Sequence, residues 1–403
     1  MTDPQPTPAA EPCDVAVVGA GAVGLAAALV LAADGFSVAL VGPRGARPDG
    51  RTVALLAGSV RLLEAAGAWE GLRAHAAPLR TLRIVDDTGS LFRPPPAAFR
   101  AEEIGLDAFG WNVESATLAE SLGEAADRAG LAWHRVGAGA LEAGRDHARL
   151  ALGDGTHLRA RLVVAADGRR SRLREAAGIA ATERAYPQVA LTTILGHGRT
   201  HGDASTEFHT REGPFTLVPL PGRRSSLVWV CAPERGRRLM ALDDEALAAA
   251  VEARAQSLLG PMRVDGPRGL VPLGHLTVAR YTAPRLALAG EAAHALPPIG
   301  AQGLNLGMRD VAALRDALVD ARAAGGDPSG AAALEAYERG RARDVPVRAG
   351  AVDLLNRSLL TDLLPADLAR GLGLAALQAI GPLRRLVMRE GLQPIRGTPR
   401  LMR

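Results

Sequence analysis

Asp14–Gly42, DVAVVGAGAVGLAAALVLAADGFSVALVG, is the stretch on which the reading of the whole chain turns. Val15, Val17 and Val18 form a short apolar run of strand length. Gly19, Gly21 and Gly24 follow at G-x-G-x-x-G spacing, with Ala20 and Val23 between them. A helix is expected through Leu25–Ala33 and a second strand over Phe36–Val41. In such a turn the first glycine permits the bend, the second lets a pyrophosphate approach the backbone, and the third lets helix and strand pack closely. Free N–H groups and the positive dipole end of the helix then hold the phosphates. Residues 15–33 carry no charge and are long enough to cross a bilayer. Three early glycines, and Asp34-Gly35 leading straight into a strand, argue for the nucleotide turn instead. At the end of the second strand, where an acidic side chain normally meets the adenosine ribose, stands Gly42.

Working outward, 403 residues at 48% hydrophobic content suffice for a large core and two interleaved domains. The net charge is +4, and arginine supplies every fixed cation, since the chain has no lysine. Aromatic residues make up only 3%, which speaks against a stacking surface for nucleic acid. The two cysteines, Cys13 and Cys231, lie far apart, with no metal-ligand spacing. That excludes a disulfide framework and a zinc site and suits a reducing cytoplasm. The opening TDPQPTPAAEP lacks the basic and apolar regions of a signal peptide and is expected to be a disordered leader, 1–12.

Along the chain, Arg51-Thr52 follows a Pro/Gly/Arg loop and precedes a helix-like stretch, Val53–His75. Leu82–Val85 and Ser90–Phe92 flank Asp86-Asp87-Thr88-Gly89, a hairpin signal. A helix at Ala116–Ala129 leads to a strand at Leu131–Val136, and Ala148–Leu152 and His157–Val164 flank Asp154-Gly155. Val189–Leu195, Ser205–His209, Phe215–Val218 and Ser226–Cys231 read as an antiparallel sheet, with one helix, Asp243–Leu259, after them. Leu286–Ala289 ends in Gly290-Glu291, and IGAQGLNLGMRD opens a further helix. The expected organisation is a nucleotide domain in three parts, 13–80, 106–182 and 276–345. A substrate layer comes from the hairpin 81–105 and from 183–275, and C-terminal helices fill 346–403.

Three separated pieces stand together: GAGAVG at 19–24, AADG at 165–168 and GEAAH…PPIGAQGLNLGMRD at 290–310. In this order they resemble the single-component FAD-dependent aromatic hydroxylases, the class A flavoprotein monooxygenases. Within these the chain is most similar to the hydroxylases of ubiquinone biosynthesis, through RTVAL at 51–55 with Ser59 and Leu62, and FGWNVES at 109–115. GPFTLVPLP at 213–221, SLVWV at 226–230 and LVMREGL at 386–392 add to the likeness. The resemblance implies an α/β fold. It would have a Rossmann-like FAD domain of the p-hydroxybenzoate hydroxylase type, interleaved with an antiparallel substrate sheet and followed by a helical tail.

The same resemblance assigns Gly19, Ala20, Gly21, Val23 and Gly24 to the FAD pyrophosphate and places Arg51 beside the cofactor. Asp167 and Gly168 would serve the flavin and a transient nicotinamide, NADPH or NADH. Glu291 would hold the ribityl chain, one methylene longer than the usual Asp. Pro298, Gly300, Gly303, Leu304 and Asn305 would meet the isoalloxazine edge. Ser115 and Ala116 replace an Asn and an Arg frequent in relatives.

The implied reaction is hydroxylation of an electron-rich ring with NAD(P)H and O₂, the cofactor rather than a protein acid or base carrying the chemistry. Backbone N–H groups at Gly303–Asn305 would stabilise the anionic reduced flavin. His294 follows Glu291 by three residues, a spacing that would make the two neighbours on a helical turn, and is the one candidate for proton transfer; its other reading is a structural, hydrogen-bonded histidine. His209 reads as an ordinary strand residue. The expected substrate is a polyprenyl-phenol or benzoquinol intermediate of ubiquinone synthesis. Alternatives are a soluble phenolic or natural-product substrate, or a non-catalytic prenyl-binding protein on the same fold, as in GDP-dissociation inhibitors. The stretch Leu363–Val387, apolar at helical spacing with Arg370, Arg384 and Arg385, could lie on a membrane surface or pack as a core or homodimer helix. The expected location is cytoplasmic, with peripheral contact at the inner face of the cytoplasmic membrane, alone or in a ubiquinone-biosynthesis assembly.

Overall fold

Uninterrupted apolar strands call for a parallel sheet covered on both faces, and that is the first layer of the structure. The computed structural model describes residues 12–45, 48–89, 95–297, 301–360, 380–392 and 397–403. Strands Leu286–Leu288, His157–Ala165, Cys13–Val18, Val38–Val41 and Ala132–His134 lie side by side in that order, all parallel. Val15–Val18 and Leu162–Ala165 are buried. The helix Ala22–Ala33 is apolar all round, buries every residue from Gly24 to Leu31, and is enclosed by the helices Ser115–Arg128 and Gln302–Ala323.

A second sheet of nine strands runs 294–295, 269–278, 181–197, 224–231, 213–220, 204–210, 81–86 and 97–100, with 262–264 beside 181–197. Alternation divides its strands into two faces. The outer face carries Leu191, Phe208, Phe215, Leu217, Leu227 and Trp229, packed against Leu247 and Val251 of the helix Asp244–Arg254. Phe215 meets Phe208 and Trp229 edge-on, with ring centroids 5.6 and 5.1 Å away. A small leaf of three strands, Thr52–Leu56, Gly110–Glu114 and Ala77–Pro78, lies between the two large sheets. It touches the inner face of the nine-stranded sheet, where Thr52 Oγ1 donates to Ser226 Oγ at 2.7 Å and Asn112 Nδ2 to Pro219 O at 2.9 Å. Among the described residues no helix is long and apolar enough to cross a membrane.

Several local expectations change. Val53–His75 is not one helix: Thr52–Leu56 is a strand paired with Gly110–Glu114, and helices occupy only Ala57–Ala65 and Glu70–Arg73. β-Branched Thr52 and Val53 favour the extended partner, and Gly67, at φ +66°, ends the helical run. The arm paired with Thr81–Asp86 is Ala97–Arg100, whereas 90–94 lie outside the described residues. The helix expected over Asp243–Leu259 stops at Arg254, because Gln256 and Ser257 both take left-handed φ. One helix, Ala331–Leu360, runs through position 345 without a break. Most of the stretch Leu363–Val387, read as a membrane-surface or a core or homodimer helix, and nearly all of the leader lie outside the described residues.

Behind the third glycine-rich stretch sits a buried ionic network. Asp310, fully buried, accepts from Gly290 N at 2.8 Å and lies 2.6 Å from His294 Nε2, while Arg341 Nε is 2.7 Å from its other oxygen. Arg341 reaches on to Asp344 at 2.7 Å, and Arg309 and Arg348 close on the same carboxylate at 2.8 and 2.9 Å. Burial alone would raise both aspartates. For Asp310, neighbouring His294 and Arg341 outweigh it, and for Asp344 its hydrogen bond to Arg309 and the charges of Arg341, Arg309 and Arg348 do. Both are therefore held below the ordinary carboxylate range. A depressed carboxylate adds stability above its unfolded value, near 3.9, and loses it as pH falls through the folded one. The melting temperature is thus expected to drop steeply below about pH 4. Asp344→Asn should lose about 3–5 kcal/mol at pH 7, by denaturant unfolding, and flatten that acid limb.

Candidate active site

The three glycine-bearing stretches meet through contacts that only glycine allows. Gly19 has φ +112°, and a Cβ there would lie 2.2 Å from Ala166 O, so the first turn rests directly on the AADG stretch. A Cβ on Gly24 would lie 1.8 Å from Gly19 O. Val23 then fits against Gly290 and Gly307, whose Cβ positions would be 3.1 and 2.7 Å from its Cγ2. One residue of the first motif thereby holds two glycines of the third.

Gly21 is different. It is exposed, and a Cβ on it would meet nothing within 4 Å. It caps the helix Ala22–Ala33 with no side-chain hydrogen bond, and the first turn carries no acid. The helix Gln302–Ala323 also starts without a side-chain cap, from Ala301 at φ +54°, with no acid in its first turn and open space above Gly303. Neither helix start has a side-chain cap among the described residues, and each presents the positive end of its dipole.

Asp167 and Gly168 follow the strand His157–Ala165, next to Gly19. Asp167 Oδ2 accepts from Arg172 N at 3.0 Å, while Oδ1 is buried with no hydrogen-bond partner among the described residues. An orphaned carboxylate oxygen beside a nucleotide turn fits a hydroxyl or amide donor from a bound group. Glu291 sits in the turn Gly290–Ala292 with its side chain exposed. His294 is not its neighbour on a helical turn: it lies in the strand His294–Ala295, opposite Thr277, is 1% exposed and belongs to the Asp310 network. Pro298 and Gly300 lie outside the described residues.

Leu304 is half-buried, and Asn305 is buried with its side chain fully engaged. Its Oδ1 accepts from Leu56 N at 2.9 Å and Ser59 Oγ at 2.7 Å; its Nδ2 donates to Ala54 O and Ala301 O at 2.7 and 2.6 Å. The side-chain amide of Asn305 is thus a clamp onto the strand Thr52–Leu56. Arg51, at the start of that strand, is exposed and donates through N and Nε to the Asp49 carboxylate at 3.1 and 2.6 Å. Gly42 adopts φ +153°, and a Cβ there would be 2.8 Å from Ala20 N. An acidic side chain has no room at this position. His209, in the strand Ala204–Thr210, lies with Nε2 2.8 Å from Glu207 Oε1.

Sequence reading missed the Asn305 clamp and the Asp310 network. Both are long-range pairings between residues that look ordinary along the chain. The residues present fit FAD: an unobstructed glycine turn, two anion-seeking helix starts and an orphaned aspartate oxygen.

Gly21 separates binding from folding. Gly21→Val should unfold like the parent in denaturant but hold FAD about ten- to hundredfold more weakly, as phosphate hydrogen bonds are lost. Gly24→Ala should instead destabilise the apoprotein, by about 1–3 kcal/mol. Flavin fluorescence titration and unfolding of the apoprotein read the two effects separately.

Comparison with known proteins agrees with this geometry. The FAD binding domain family matches residues 12–348. Ubiquinone hydroxylase UbiL of Rhodospirillum rubrum is 38% identical over 97% of this chain and 92% of its own. The 3-demethoxyubiquinol 3-hydroxylase of Escherichia coli is 33% identical over 95% and 99%. A point variant of HpxO from Klebsiella pneumoniae, solved with FAD, superposes with a TM-score of 0.76 at 20% identity, covering 95% of this chain and 99% of that one. The chain therefore belongs to the FAD-dependent aromatic monooxygenases, in the family of the ubiquinone hydroxylases.

Proposed function

We propose that this monooxygenase hydroxylates the ring of a polyprenyl-phenol or benzoquinol intermediate on the way to ubiquinone. The observation that carries the substrate class is the near full-length likeness to UbiL and to the demethoxyubiquinol hydroxylase. When bound, FAD supplies the redox chemistry that passes electrons from NAD(P)H to O₂ and one oxygen atom to the ring.

The chain's own residues bind and orient. In this reading the N–H groups after Gly21 hold the pyrophosphate. Arg51 turns from Asp49 to face the cofactor, and Asp167 and Gly168 line the flavin and the docking place of the nicotinamide. Glu291 reaches the ribityl hydroxyls from its exposed turn. The backbone N–H groups at Gly303–Asn305, held by the Asn305 clamp, face the side of the ring where negative charge gathers. His294 keeps a positioning role, since its Nε2 is committed to Asp310.

A surface contact suits a prenylated substrate. The helix Gly381–Leu392 docks through Met388, buried among Phe99 and Phe109, and through Arg384 over the Phe99 ring. Ile380, Leu383, Leu386 and Val387 stay exposed beside Arg385 and Arg389. Apolar side chains with flanking cations match the surface of an anionic membrane, the inner face of the cytoplasmic membrane in this proposal.

The quinone-intermediate profile of source cells lacking the gene, read by mass spectrometry, tests the reading. The expected result is accumulation of a prenylated precursor short of one ring hydroxyl or methoxyl. An unchanged profile, together with failure to restore a hydroxylase-deficient strain, would remove the quinone substrate and leave the monooxygenase.

A further inference from the structure

The inner face of the nine-stranded sheet carries a row of side chains whose register is fixed. Glu207 pairs with Thr216, Thr216 with Val228, and Val228 with Thr192. Directly paired residues in antiparallel strands share a face. Ser226, two residues before Val228, is on that face too, and it touches Thr52 of the small leaf. Since Asn305 ties the leaf to the glycine-rich start of Gln302–Ala323, this row looks toward the cofactor layer.

Glu207 is the charged member of the row. Its neighbour His209, 4% exposed, holds Glu207 Oε1 through Nε2 at 2.8 Å. The other carboxylate oxygen makes no hydrogen bond among the described residues, and the Glu207 side chain keeps 14% exposure. His209 Nδ1 and Thr192 Oγ1 are both buried without a hydrogen-bond partner among the described residues. Apolar clusters stand on either side: Leu82, Ile84, Phe99 and Met388 on one, Tyr186, Ala190, Val230 and Leu273 on the other. A carboxylate held in place between apolar walls is expensive unless a donor completes it. A ring bearing a hydroxyl has that chemistry.

We propose that Glu207, fixed by His209, accepts the hydrogen bond of a ring hydroxyl on the aromatic substrate and thereby selects the ring carbon presented to the flavin. The inference rests on the aromatic-hydroxylase reading above and adds the residue that orients the ring. Glu207 touches substrate, and His209 is its positioning residue.

The test titrates the oxidised, FAD-loaded protein with para-butylphenol and with the methyl ether of that phenol, following the flavin absorbance. The parent should prefer the phenol by about ten- to hundredfold, as expected for a hydrogen bond to a charged acceptor. Glu207→Leu should bind both ligands alike, at the parent's affinity for the ether. His209→Gln should lower the preference without changing the ether affinity. Melting temperature and flavin content establish that each variant is folded, and near-isosteric Glu207→Gln carries the test if the leucine variant does not fold. Equal binding of the two ligands by the parent, or an undiminished phenol preference in the Glu207 variants, overturns the assignment of Glu207 alone. A parent that binds neither ring overturns the aromatic-substrate reading as well.

Discussion

The side chain of Asn305 ties the glycine-rich start of one helix to the small leaf that rests on the nine-stranded sheet. Its four hydrogen bonds join the start of the helix Gln302–Ala323 to the strand Thr52–Leu56 and to Ser59. That strand in turn touches the substrate sheet through Thr52 and Ser226. A buried amide with all its partners costs little, whereas each partner left unmet would cost about 1–3 kcal/mol. The clamp is therefore cooperative: shifting the helix start breaks several bonds at once, so the two layers keep one relative position.

The glycines make the complementary contribution by excluding volume. Gly19 against Ala166, Gly24 against Gly19, and Val23 between Gly290 and Gly307 leave no space for an added methyl group. Gly21 and Gly303 have open space where a side chain would be. Four glycines set the packing and two face open space, although all six look alike in the sequence. Gly42 belongs with the first kind. Its backbone approaches Ala20, so the customary ribose-binding acid is sterically absent rather than merely replaced.

The opening strand–helix–strand unit was legible because its signals are local: an apolar strand, glycines at fixed spacing, and a helix apolar on every side. The antiparallel sheet was legible as alternating runs with turn residues between them. The strand Thr52–Leu56 was not, because its apolar spacing also suits a helix and only the distant partner Gly110–Glu114 decides between the two. The three-residue spacing of Glu291 and His294 also suits one helical turn. Pairing with Thr277 makes His294 a strand residue and turns it inward to Asp310, while Glu291 stays outside. Alternation put Glu207 and His209 on one face, yet nothing along the chain says which face looks toward the cofactor. That follows from Ser226 meeting Thr52.

The Asp310 network raises the question of why charge is buried at all. Replacing a buried ion pair by apolar groups often costs nothing in stability, so stability alone does not account for two aspartates and three arginines here. Position does. Gly290 needs φ +62° and close approach to Val23, and its N–H would be an unmet buried donor without Asp310 Oδ2. A carboxylate with two oxygens can hold Gly290 N and His294 Nε2 on one and Arg341 on the other, which no single apolar residue reproduces. Arg341 then needs Asp344, and Asp344 gathers Arg309 and Arg348. The network grows outward from one backbone amide in the third motif, and it fixes that amide, with Glu291 beside it, against Val23 of the first glycine turn.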